Sequence, residues 1–139
     1  MNNFIPRRYN YTLETGVVGT DDENIANILY NINRMEMKAS FLSETRGDMQ
    51  DALGDVFFMI TDSKVHLNRF IKEFSEKLDP DTTAAVTTAV DNALETVRAA
   101  ETPDSDPNDL HSAMLSAYKK LSAVIPFLQA LDDQAVGKV

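Results

Sequence analysis

The dipeptide Asp-Pro occurs twice, at Asp79–Pro80 and Asp106–Pro107, each time between two apolar runs of helical period. An aspartate before a helix accepts a free N–H of the first turn, and a proline at the first helical position lacks an N–H that would be unpaired there anyway. Each Asp-Pro therefore starts a helix, and whatever precedes it has to stop. This punctuation confines the chain to segments of about twenty to thirty residues, joined by short connections.

Four such segments are expected. The first begins at Thr20–Asp22, where "TDDEN" offers an N-cap and acids suited to the helix dipole. Ile25, Ile28, Leu29, Ile32, Met35, Ala39 and Leu42 follow at helical spacing, while Asn24, Asn27, Asn31, Arg34 and Lys38 fall on the wet side. Gly47 predicts a break or kink near "ETRGD". A second helix runs to about Leu78 on a stripe of Met49, Leu53, Val56, Phe57, Ile60, Leu67, Phe70, Ile71, Phe74 and Leu78. The third carries Val86, Ala89, Val90, Ala93, Leu94 and Val97 and ends at Pro103. The fourth carries Leu110, Met114, Ala117, Leu121, Val124, Leu128 and Leu131, with Pro126 kinking it near Ser122. Four amphipathic helices with short links predict an all-α fold: an antiparallel four-helix bundle over residues 21–133. Residues 134–139 read as a frayed end.

Residues 1–20 lack this period. Pro6, Gly16 and Gly19 interrupt them, yet Phe4, Ile5, Tyr9, Tyr11 and Leu13 are too apolar for an idle tail. They read as an extended N-terminal arm lying on this domain or on a neighbour, with short strand pairing through Tyr9–Leu13 as one form of it. Arg7, Arg8, Tyr9 and Tyr11 would suit stacking on a nucleic acid strand. The net charge of −9 over 139 residues argues against that and favours docking on protein.

The chain has no cysteine, so thiolate nucleophiles, disulfides and cysteine-based zinc sites are excluded. No apolar run approaches a membrane span, and the N-terminus lacks the apolar core of a signal peptide, so the expected setting is cytoplasmic or within an assembly. Serine-nucleophile motifs and glycine-rich phosphate loops do not occur. Of the two histidines, His66 lies one turn from Asp62, and His111 reads as exposed in the first turn of helix four. The methionines, including Met35, Met37, Met49 and Met59, read as core fillers before they read as an adaptable groove.

The stretch "DALGDVFFMI", Asp51–Ile60, departs from a simple amphipathic pattern. Opposite the main stripe lie Asp51, Asp55 and Asp62, together with Phe58, Met59 and Val65. A helix that is apolar nearly all round is central in its fold or covered by another molecule. Helix one has a matching oddity, Glu36, a carboxylate inside an apolar stripe that has to be paired, bound to metal or at the rim. Magnesium, which prefers oxygen ligands, would suit a site made by Glu36, Asp51 or Asp55.

"LGDVFF", Leu53–Phe58, resembles the second metal motif of the all-α nucleoside triphosphate pyrophosphohydrolases of the MazG type. That resemblance implies four carboxylates holding magnesium for attack of water on a triphosphate. In the matching register Glu36 and Ala39 form the first pair and Ala52 and Asp55 the second, so two of the four ligands are alanines. Catalysis is not carried over with half the ligand set missing.

The function expected from the residues is a non-enzymatic structural or adaptor subunit of a larger assembly, of the virion or secretion type. It needs no cofactor. Its partner would be a protein, either a second copy or a neighbouring subunit. Phe58, Met59 and Val65 would be the anchors, with Phe4, Tyr9 and Tyr11 tethering the arm. The alternatives are the magnesium-dependent pyrophosphohydrolase-like protein and an acidic inhibitor or chaperone of a basic partner.

Overall fold

The computed structural model describes residues 6–137. The expectations for Phe4 and for the last two residues lie outside the described residues. The chain forms a hairpin of β1 (Tyr9–Leu13) and β2 (Gly16–Thr20), followed by α1 (Glu23–Ala39), α2 (Arg46–Phe74), α3 (Pro80–Ala100), α4 (Pro107–Ser122) and α5 (Ile125–Val136).

Both Asp-Pro devices work as the local chemistry requires. Asp79 accepts the Thr82 N–H at 2.9 Å and the Thr82 hydroxyl at 2.7 Å, with Pro80 opening α3. These bonds hold the Asp79 carboxyl below the usual carboxylate range. The cap is therefore fully present above that range and is lost as pH falls through the depressed value. Asp106 accepts the Asp109 N–H at 2.9 Å, and the Asp109 carboxylate accepts the Asp106 N–H at 3.1 Å, a reciprocal capping box. Asp106→Ala is expected to cost about 1 kcal/mol in urea denaturation. A change below a few tenths would mean that tertiary contacts alone set this helix start.

Helix pairing is antiparallel throughout, as side-chain contacts that step in opposite directions show. Between α1 and α2, Asn24 meets His66, Asn31 meets Asp62, and Lys38 meets Asp55. Arg46 meets Thr102 and Lys64 meets Asp91 between α2 and the α3 segment, and Asp79 meets Gln134 and Thr96 meets Lys120 between the α3 segment and the α4–α5 column. The column closes on α1, where Glu36 meets Tyr118 of α4 and Thr20, just before α1, meets Asp132 of α5. α4 and α5 are thus two halves of the fourth column. The core between the columns is built from Ile25, Leu29, Ile32, Met35, Met49, Leu53, Ile60, Leu67, Phe70, Val97, Leu110, Leu121, Leu128 and Leu131, all at most 1 % exposed.

The arm takes the strand-paired form over residues 9–20, a hairpin with Tyr9 opposite Thr20 and Leu13 opposite Gly16. Gly16, at φ 127°, supplies the left-handed backbone that returns the strand. The hairpin lies on this domain: Leu13 is buried, the Asn33 amide donates to the Thr12 carbonyl at 3.1 Å, and Arg7 pairs with Asp132 and Asp133. Pro126 breaks the fourth helix at Ala123–Val124 rather than kinking it, because it takes a place in the first turn of a new helix, where its missing N–H costs nothing.

α1 stops at Ala39, so Leu42 is in a connection and exposed rather than in the stripe, and α2 ends at Phe74 rather than Leu78. Gly47 lies inside the first turn of α2. The C-terminus is not frayed from residue 134 through Val136. α5 continues to Val136, capped by Gly137 in the left-handed conformation, and the Gln134 side chain accepts the Asp79 N–H at 2.8 Å. His111 is half-buried, with Nε2 2.8 Å from the Ala39 carbonyl, one of the oxygens a helix end leaves unpaired.

Candidate protein-binding face

The outer side of the α1/α2 pair gathers the large apolar groups that the core does not take. On α1, Tyr30, Arg34 and Met37 follow one another at three- and four-residue steps, which places them on one ridge, and Phe41 follows just past the end of the helix. Met37 is 64 % exposed, and Tyr30 and Phe41 are exposed as well. On α2 the core line through Leu53, Val56 and Ile60 leaves Asp51, Asp55, Phe58 and Val65 on the water side, with Phe58 66 % exposed and Val65 44 %. Residue 59 is one step, about 100°, round from Phe58. Met59 accordingly turns towards α1 and is 1 % exposed, so its expected place among the surface anchors is corrected.

A polar seam separates the two ridges and fixes their register. Asn24 Oδ1 lies 3.0 Å from His66 Nδ1. The Asn31 amide donates to Asp62 Oδ2 at 2.9 Å and to Ser63 Oγ at 3.1 Å, and Lys38 Nζ lies 3.0 Å from Asp55 Oδ2. At one end the seam opens into a hollow of about 280 Å³ lined by Arg34, Met37, Lys38, Phe41 and Met59, with the Met59 side chain contributing to its wall. A larger hollow on the outside of α4, about 590 Å³, has Leu115 as its one large aliphatic group beside Ser112, Ser116, Lys119 and Lys120. It lacks the apolar ridges of the first.

The α1 ridge is basic and the α2 ridge acidic. The Arg34 guanidinium lies over the Tyr30 ring, 5.6 Å from its centroid, and has no carboxylate partner among the described residues. Lys38 Nζ lies 6.0 Å from the Phe41 ring. The hairpin extends the face, since the Tyr11 ring sits 6.3 Å from that of Tyr30. Partial burial, then the neighbouring Tyr9 and Tyr30 hydroxyls, push the Tyr11 hydroxyl above its ordinary range, so it stays protonated at neutral pH. Tyr9 is half-buried, with Arg8 over its ring at 5.2 Å.

The metal candidates do not form a site. Glu36 accepts the Glu14 N–H at 3.1 Å and lies 3.3 Å from the Tyr118 hydroxyl, which donates to Glu14 Oε2 at 2.8 Å. Burial, with the Glu14 and Glu36 carboxylates beside it, pushes the Tyr118 hydroxyl well above its ordinary range, so it remains a donor to them. The carboxylate in the apolar stripe thus secures the hairpin turn to α4. Asp55 is engaged by Lys38, Asp51 is exposed, and the other two ligand positions are the buried Ala39 and Ala52. Among the described residues no three His, Cys, Asp or Glu side chains are grouped so as to hold a metal ion. The donor set does not fit magnesium, and no catalytic step is derived from it.

Sequence reasoning placed Phe58 and Val65 on the exposed side of α2, where the structure has them, but missed the α1 ridge. Its signal was available: Tyr30, Met37 and Phe41 repeat at helical spacing opposite the Ile25–Ala39 stripe. No described helix is long and apolar enough to cross a membrane. Comparison with protein-family models, with curated proteins and with solved structures returned no match.

Proposed function

We propose that this chain is a non-enzymatic structural or adaptor subunit of a larger protein assembly, and that it binds through the outer α1/α2 face. The observation that carries the reading is the exposure of Phe58 and Met37, two large flexible or aromatic apolar groups on adjacent ridges of otherwise well-filled helices. Covering a phenylalanine or methionine side chain returns roughly 1.5–3 kcal/mol, which gives such a face a driving force for association. Aromatic and arginine side chains are also the types that dominate binding energy at protein interfaces, and Phe58, Tyr30 and Arg34 supply both. Tyr11, its ring tilted against that of Tyr30, extends the same surface onto the hairpin.

The test compares the full chain with Phe58→Asp as bait in its native source, with the retained proteins identified by mass spectrometry. Phe58 is exposed, so the substitution leaves helicity by circular dichroism unchanged. Loss of specific partners from the variant is the expected result. An identical set of proteins on both baits, or none on either, contradicts the reading.

A further inference from the structure

We infer that the partner on the outer α1/α2 face is a second copy of this chain, docked about a two-fold axis parallel to the helices so that each α1 ridge lies across the other copy's α2 ridge. This inference rests on the proposed binding role of that face.

The argument is one of levels and signs. Lys38 meets Asp55 and Asn31 meets Asp62, so the seam sets the height of every residue on one helix against the other. Stepping four residues from the Lys38–Asp55 pair puts Arg34 level with Met59 and next to Phe58. Continuing the same count puts Tyr30 level with Ser63, and Asn27 within one residue of Val65. A two-fold axis along the helices keeps these heights and exchanges α1 with α2. Arg34 of one copy then faces Phe58 of the other, one turn from Asp55 on one side and Asp62 on the other. Tyr30 faces Val65.

The charges fit only when the ridges are exchanged. The α1 ridge presents the Arg34 guanidinium, and the α2 side presents the exposed Asp51 with Asp55 and Asp62, which Lys38 and Asn31 already engage from within the seam. Placing like ridges together would oppose cation to cation and carboxylate to carboxylate. Exchange satisfies both ridges at once, and a two-fold interface requires that self-complementarity of one patch. It also gives the Arg34 guanidinium, which has no carboxylate partner among the described residues, a set of carboxylates, in a chain whose net charge of −9 otherwise repels a second copy. The helical part of the ridge, from Tyr30 to Met37, is about 10 Å long at 1.5 Å per residue, so the interface falls at the small end for specific complexes and dissociates on dilution.

The absence of native cysteine allows a direct test. Asn27→Cys and Val65→Cys lie at matching heights on opposite ridges and leave Phe58, Arg34 and Met37 in place. Under mild oxidation, a mixture of the two single-cysteine chains is expected to form a disulfide-linked pair, because a disulfide needs Cα atoms within about 7 Å. Each variant alone is not, and Lys119→Cys on α4 mixed with either is not. Adding Phe58→Asp to both chains is expected to reduce the cross-linked yield at least about tenfold. No cross-link in the mixture, equal cross-linking of each variant with itself, or a yield indifferent to Phe58→Asp overturns the inference. If cross-linking fails while Phe58→Asp still loses partners from the native source, the second copy is ruled out and the binding face stands. If Phe58→Asp changes neither, both readings fall.

Discussion

Phe70→Ala is expected to lower the free energy of unfolding by about 3–5 kcal/mol, the range for removing a fully buried aromatic ring. Phe70 has no exposed surface and lies 5.0 Å from the Phe74 ring at a tilted angle, so truncation removes both the transfer gain and a ring–ring contact. Its helix touches α1, α3 and α4, which leaves the walls of the new cavity held on several sides and poorly able to collapse. For a domain whose total stability is commonly about 5–15 kcal/mol, this is a large fraction. Urea denaturation followed by circular dichroism measures it. A loss under about 1 kcal/mol would mean that this end of α2 is not packed as described.

Asp132→Ala is expected to cost about 3 kcal/mol, and the loss should fall first on the hairpin. The Asp132 carboxylate is buried, accepts the Thr20 hydroxyl at 2.9 Å and lies 3.2 Å from Arg7 Nη1, tying both ends of the hairpin to α5. Alanine leaves the buried Thr20 hydroxyl and the Arg7 guanidinium without this partner. Amide exchange over Gly16–Thr20 should accelerate much more than over α3. Equal acceleration in both would show that the hairpin is not a separately releasable unit.

The same carboxyl gives a pH signature. Burial raises it above the usual carboxylate range, with the Asp133 and Asp22 charges adding to the rise and the Thr20 hydrogen bond and Arg7 opposing it. The folded chain therefore holds this proton more tightly than the unfolded chain. Its contribution to stability is greatest at or below the ordinary carboxylate value and declines as pH rises through the raised one. Asp132→Asn should remove that decline from the stability–pH curve. An unchanged curve would contradict the assignment.

What the sequence made legible was what local chemistry decides. Asp79–Pro80 and Asp106–Pro107 mark helix starts because cap and proline act within one turn. The stripes through Ile25, Leu53 and Leu110 give the bundle because each helix has one dominant apolar side. The hairpin was less legible: the pairing of Tyr9 with Thr20 is a contact between distant residues, and Gly16 reads as a breaker until its positive φ is seen to make the return. Glu36 was recognised as out of place, but its resolution by Glu14 and Tyr118 joins three segments that nothing in the string aligns.

The site divides in the same way. The exposure of Phe58 and Val65 is legible because a helical wheel places them opposite the core. Met59 was misplaced because a wheel does not say how far α1 wraps round α2. Tyr30, Met37 and Phe41 are less legible because the longer and more apolar Ile25–Ala39 stripe dominates the pattern of this segment.

The central claim is that the outer α1/α2 face joins two copies through an apolar contact centred on Phe58. The most direct test is the mass of the chain in solution, measured by sedimentation equilibrium for the unmodified chain and for Phe58→Asp across a wide concentration range. The account predicts a shift from one chain mass towards two as the unmodified chain is concentrated, and a single chain mass for Phe58→Asp throughout. A single chain mass for the unmodified protein up to its solubility limit, or a dimer that Phe58→Asp leaves intact, would contradict it.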